Sequence, residues 1–199
     1  MARTRASDFE EKRQIILTSA AAVFAEQGME KASMSQIATH CQVSKALLYH
    51  YYPSKGALIF GIIHAHLSEL EAMVRQANDP VLPPEERLQK LIFAVLDNYR
   101  GADNDHKVQL NGMDALTDEQ KHEIRLIERQ IVKPFADVIR TLNPNLDRQD
   151  QSLIMPVTMS LFGMLNWVYM WFRDGGTLTR ENYALLATTL IMDGLKAVR

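Results

Sequence analysis

The chain has a single cysteine, Cys41, in 199 residues, so no disulfide forms within it and a reducing compartment, the cytoplasm, is the expected setting. Its first residues, MARTRAS, lack the apolar run of a signal peptide. No stretch alternates apolar and polar residues as a half-buried strand does, and no tandem repeat recurs, which leaves an all-α fold. Phosphate-cradling glycine loops and nucleophile elbows are absent as well. His64 and His66, two apart on a helix, point to different faces, and Asp118 or Glu119 with His122 lacks a third metal ligand. Cys41 closes a short helix with no base nearby, which suits a buried small residue better than a nucleophile. No catalytic set, metal or cofactor is therefore expected, and an enzyme is not.

Long apolar runs are scarce too. One window, LIMPVTMSLFGMLNWVYMWF at 153–172, has the roughly 20 residues that a membrane span needs. Thr158, Ser160 and Asn166 interrupt it and no second run accompanies it, so a buried helix is expected and no membrane partner.

What is present is a hydrophobic fraction of 47%, ample for a core, and a net charge of −2 that is unevenly spread. Residues 1–60 hold seven Lys and Arg against five acids, a net +2, and the remainder carries −4. A weakly basic end on an acidic body suits a small polyanion-binding module beside a larger domain.

Apolar residues recur at three and four positions, and helix start signals repeat along the chain. In SDFEEKRQIILTSAAAVFAEQG, Ser7 and Glu10 fit a capping box, Ile15, Ile16, Ala20, Val23 and Phe24 make one apolar stripe, and Gly28 is the stop. Ser33 and Gln36 start a second, short helix with Ile37 and Ala38 facing inward. After a break at Cys41, Gln42 and Val43, Ser44 caps a third helix to Tyr52; Pro53 stops it and Ser54 caps a long fourth helix to about Asn78. Two short helices around a tight break, packed on a longer one, form a helix-turn-helix pattern. Beyond NDPVLPPEER, helices are expected near 84–100, 105–115, 118–141, 149–172 and 180–197, with Thr117 and Gln120 as another capping box and Thr179 as a cap.

Placed at about 100° intervals, Ser44, Leu48 and Tyr52 share the inward side of the third helix. Lys45, Ala46, Tyr49 and His50 lie on flanking and opposite sides, with Leu47 and Tyr51 on the boundary. A protruding helix so equipped can set side chains on base edges in a major groove while hydroxyls and ring nitrogens reach phosphates. Lys55 adds an ammonium near the start of the fourth helix, where helix dipole and charge both attract phosphate. An amphipathic hairpin with solvated charges satisfies the same pattern.

The segment ILTSAAAVFAEQGMEKASMSQIATHCQVSKALLYHYYPSKGALI resembles the DNA-binding domain of the TetR family of bacterial one-component repressors, over about residues 9–60. The resemblance implies domains at 1–53 and 54–199, the first a three-helix DNA-binding domain and the second a helical ligand-binding and dimerisation domain. It makes Ser44, Lys45, Ala46, Tyr49, His50, Tyr51 and Lys55 DNA-facing or phosphate-facing, with Leu48 and Tyr52 in the core. Ala46 stands where the family usually has glycine, and its methyl holds the backbone farther from the bases. Leu47 is apolar where polar residues are common, and a thymine methyl is its expected contact. Arg3 and Arg5 fit either a basic minor-groove arm or an unpacked terminus.

Two apolar helices at the chain end, with Gly163 allowing close approach and Pro156 bending the first near its start, need more cover than the other helices supply. The resemblance implies that they form a homodimer interface, with each protomer reading half of a palindromic operator. Phe93, Tyr99, Met113, Met159, Phe162, Asn166, Tyr169 and Arg173 are the candidate lining of a small-molecule pocket. HKVQLNGMDAL, MSLFGMLNWVYMWFRDGG and LTRENYALLATTLIMDGL further resemble a subgroup of these repressors that controls catabolic genes, notably for phenylacetate degradation, and answers to acyl-CoA thioesters. Arg173 or Lys107 is then the expected partner of CoA phosphates. A small-molecule-binding scaffold whose helix-turn-helix is only structural is the alternative from another class.

Overall fold

A computed structural model describes residues 2–147 and 152–198, with side chains from residue 9 onward. Arg3 and Arg5, the candidate arm, therefore lie outside the described side chains. Among the described residues the regular elements are all helical: α1 (Ala2–Gln27), α2 (Met34–His40), α3 (Lys45–Tyr51), α4 (Lys55–Ala77), α5 (Pro84–Asn98), α6 (Asp103–Asn111), α7 (Asp118–Leu142), α8 (Ile154–Asn166), α9 (Val168–Trp171) and α10 (Arg180–Ala197). Single 3-10 turns occupy Met113–Ala115 and Pro144–Leu146.

The chain forms two compact units, one of residues 1–67 with 102–125 and the other of 68–101 with 126–199. The first unit is larger than the expected 1–53 module because α6 packs along α1, burying His106 and Val108. Within it α1 runs back to Ala2, so position 7 lies inside the helix and is not its N-terminal boundary. Its buried stripe is Ile16, Leu17, Ala20, Ala21, Val23 and Phe24. Ile15, expected in that stripe, is 50% exposed, because one residue on a helix is a turn of about 100° and Leu17 takes the inward place.

Gly28, at φ +83°, ends α1 in the left-handed conformation that a helix stop asks of glycine. Ser33 accepts the Gln36 N–H while the Gln36 side chain accepts the Ser33 N–H, a complete capping box on α2. Cys41 follows, buried against α1 with its thiol pushed up by desolvation. Gln42 then takes φ +55°, and Ser44 accepts the Leu47 N–H at 3.1 Å to open α3. Ser54 accepts the Ala57 N–H at 3.0 Å at the start of α4.

In the second unit α5 packs on α10, burying Leu88, Leu91, Ile92 and Val95 on one side and Ala184, Ala187 and Ile191 on the other. The Phe135 and Phe162 rings meet edge to face at 4.9 Å. Arg180, 6% exposed, ties the start of α10 down: it donates to both Asp174 oxygens at 3.0 and 2.9 Å and to the Leu96 carbonyl at 2.8 Å, and lies 4.9 Å over the Phe172 ring. Thr179 accepts the Asn182 N–H, as a cap should.

The single helix expected over 149–172 does not form. Its first three positions lie outside the described residues, α8 starts at Ile154, and Trp167 separates it from the four-residue α9. Pro156 consequently falls in the first turn of α8, where a missing N–H costs no helical bond. The segment is also not simply buried: Met155, Met159, Trp167, Met170 and Trp171 are exposed. Helix α5 ends two residues short of the expected Arg100, and the expected 105–115 helix is α6 followed by the 113–115 turn.

Candidate nucleic-acid interface

Helix α3 is two turns long, and Leu48 and Tyr52 fasten it, both buried. Tyr52 lies against Gly61 of α4 so closely that a Cβ at 61 would stand 2.7 Å from its Cε1 and 3.2 Å from Leu17 Cδ2. Burial pushes the Tyr52 hydroxyl up, with the neighbouring Arg13 opposing the shift. On the other side Lys45, Ala46, Tyr49 and His50 are exposed, and Leu47 and Tyr51 are half-buried at the edges. Lys45 Nζ stands 6.0 Å from the Tyr49 ring centroid. Tyr51 stacks on Phe9 of α1, centroids 4.6 Å apart, and meets His50 edge-on at 5.8 Å. The helix thus presents a cation, two rings that carry polar atoms and a methyl on one solvated face.

Lys55 is corrected by its surroundings. Its Nζ donates to the carbonyls of Met29, Glu30 and Ala32 at 2.7, 3.0 and 3.2 Å, which takes up the three donors of an ammonium. It clasps the α1–α2 turn to the start of α4, and it is not presented to a phosphate.

The eight candidate pocket residues are only partly brought together. Tyr99 donates to Asn166 Oδ1 at 2.8 Å, and burial pushes the Tyr99 hydroxyl up. Phe162 is core, against Phe135. Phe93 lines an open cleft of about 790 Å³ with Met73, Lys90, Asp97 and Leu185. Met159 is exposed, Tyr169 meets Trp167 edge-on at 6.3 Å, and Arg173 is exposed with Nη1 on the Phe172 carbonyl. Met113 belongs to the other unit, in the 113–115 turn. Lys107 is half-buried on α6.

The sequence reading passed over His106. It is fully buried on α6, its ring 5.8 Å from that of His66 on α4, and its Nδ1 lies 3.1 Å from Gln109 Oε1. Burial first, and His106 second, push His66 down to about 4. His64, two residues away, instead points to Glu123 at 3.1 Å. Only the apolar surroundings of HAH on α4 hint at this split, and nothing in the sequence ties His106 to it. Among the described residues no group of three metal-ligating side chains converges.

Residues 16–62 match the family model of bacterial regulatory proteins, tetR family, and residues 81–195 match that of the tetracyclin repressor-like C-terminal domain. The chain is 25% identical over 195 residues to the HTH-type transcriptional repressor KstR2 of Mycobacterium tuberculosis (strain ATCC 25618 / H37Rv), covering 92% of each. It superimposes on a TetR-family transcriptional regulator from Bordetella parapertussis 12822 with a TM-score of 0.84 and 30% identity, covering 94% of this chain and 97% of that one. AibR, solved with isovaleryl coenzyme A and operator DNA, gives a TM-score of 0.76 at 26% identity over 90% of this chain and 97% of its own.

Proposed function

The chain belongs to the TetR family of bacterial regulatory proteins, a DNA-binding helix-turn-helix transcriptional regulator and not an enzyme, and from that premise we propose a cytoplasmic homodimeric repressor released from its operator by an acyl-CoA thioester. One observation carries the reading of DNA: Lys45, Ala46, Tyr49 and His50 share the solvated face of a short helix whose opposite face is anchored by Leu48 and Tyr52. Lys45, Ala46 and Leu47, in its first turn, face base edges, and Tyr49, His50 and Tyr51 hold phosphates, with Ser44 at the cap contributing its exposed edge.

Two half-sites one helical turn apart, about 34–36 Å, need two copies of α3. The second copy is seated on the exposed apolar side chains of the last helices, among them Met155, Met159, Leu186 and Leu190. Covering these side chains with a second copy removes their apolar surface from water. Helix α4 starts three residues after α3 and contributes to both compact units, so it is the natural lever. An effector that binds better to a conformation with the two reading helices farther apart lowers DNA affinity by its differential affinity.

The thioester class rests on the likeness to AibR and on the subgroup resemblance, which points to catabolic genes such as those for phenylacetate degradation. Tyr99 and Asn166 are the polar anchors assigned to the pocket, with Phe93 and Tyr169 in the same compact unit. A mobility-shift titration on the DNA upstream of the protein's own gene tests the proposal. Retardation at low salt that isovaleryl-CoA or phenylacetyl-CoA abolishes is expected. A dimer that retards no such fragment rejects the repressor reading, and retardation indifferent to every thioester rejects the effector.

A further inference from the structure

Phe9 is a large apolar side chain left 43% exposed near the start of α1, yet its position is not idle. Its ring lies on that of Tyr51, centroids 4.6 Å apart and planes inclined by 26°, while the His50 ring meets that of Tyr51 edge-on at 80°, centroids 5.8 Å apart. Tyr51 is therefore the ring that both Phe9 of α1 and His50 of α3 contact. One turn further along α1, Arg13 lies beside the Tyr52 hydroxyl and pairs with Glu10 at 3.4 Å. Positions 9 and 13 share a face of α1 and meet the last two residues of the reading-helix segment, 51 and 52.

The burial pattern explains why such a brace matters. Helix α3 has only two turns and is anchored from one side, by Leu48 and Tyr52. Tyr51 sits half-buried at the boundary, where the core supplies fewer contacts to hold its ring in one rotamer. Stacking on Phe9 and the edge contact with His50 add the contacts that favour one rotamer.

We infer that Phe9 is a positioning residue for DNA binding: by stacking on Tyr51 it fixes that phenol, and with it His50, in the orientation that meets the operator backbone. The inference rests on the proposal that the exposed face of α3 reads DNA. Phe9 itself touches no base. Its removal weakens binding by unfixing Tyr51, so its effect depends on Tyr51 being present.

The test is operator titration of purified dimers, using a duplex that the wild-type protein selects from a random pool. Phe9→Ala is expected to weaken binding about five-fold, within the range that one aromatic pair supports. Phe9→Tyr should restore it, and Phe9→Leu, apolar but unable to stack, should not. In a Tyr51→Ala background the Phe9→Ala change should have no further effect. Thermal melting of each variant separates positioning from folding, since a loss that tracks melting temperature and is rescued by Leu overturns the inference. Equal affinity of wild type and Phe9→Ala overturns it as well, while leaving the DNA-reading proposal intact. A wild-type protein that selects no duplex overturns the proposal on which the inference stands.

Discussion

Tyr99 and Asn166, 67 positions apart, are joined by a hydrogen bond of 2.8 Å from the phenol to the amide oxygen. It links Tyr99, the residue that closes α5, to the last residue of α8, and Tyr99 is nearly wholly buried where it does so. The phenol is the buried member of the pair, and losing a hydrogen bond it makes costs about the net worth of that bond. Tyr99→Phe should therefore lower stability by about 1 kcal/mol, measured by urea unfolding. An unchanged unfolding midpoint would show that the bond adds nothing to stability and that the pair serves another purpose.

Lys55 separates two roles with one substitution. As a clasp on three carbonyls, its replacement in Lys55→Met should destabilise the protein by about 2 kcal/mol, the scale of lost bonds to a charged group. The slope of log operator affinity against log salt should stay that of the wild type. A slope reduced by about one, with stability unaltered, would return Lys55 to the phosphate-contacting set.

His66 gives the fold a dependence on acidity. Its folded value lies near 4, pushed down by burial and then by His106, against an ordinary 6.5 in the unfolded chain. Between those values the unfolded state binds more protons, so stability rises with pH from about 4 to 6.5 and is lost as pH falls through that window. Lowering the pH from 7 to 5 should cost about 2 kcal/mol through this group. In His66→Gln the fall over the same interval should be smaller by that amount, and parallel curves would remove His66 as its source.

Leu186 and Leu190, one turn apart on α10 and both exposed, test the association face. Leu190→Glu should shift the mass measured by sedimentation from dimer to monomer without changing the far-ultraviolet helical signal. A variant that stays dimeric places the interface elsewhere.

The helix-turn-helix was legible because its signals are local. Ser33 with Gln36, Ser44 and Ser54 each act on a backbone N–H three residues away, and the inward placement of Leu48 and Tyr52 follows from helical spacing alone. What spacing does not encode is which far segment a side chain meets. Lys55 reads as a free cation until Met29, Glu30 and Ala32 turn their carbonyls to it. His106 carries no mark of its partner on another helix. The helix expected across 149–172 failed for a related reason: Thr158, Ser160 and Asn166 are scattered through an apolar run, and nothing in their spacing singles out Asn166, just before the break at Trp167, as a stop. Of the pocket candidates, aromatic and methionine residues look alike in sequence whether they end in a core, as Phe162 does, or on a surface, as Met159 does.

Tyr52 and Gly61 hold a consequence for how such a protein can change. With no room for a Cβ beneath the phenol ring, the two positions must vary together: a larger residue at 61 is tolerable only with a smaller one at 52. Lys45, Ala46 and Leu47, the positions proposed to face base edges, bear no such tie to Gly61. Operator preference can thus be rewritten at those three positions, by selection or by an engineer, while the mooring of the helix stays as it is.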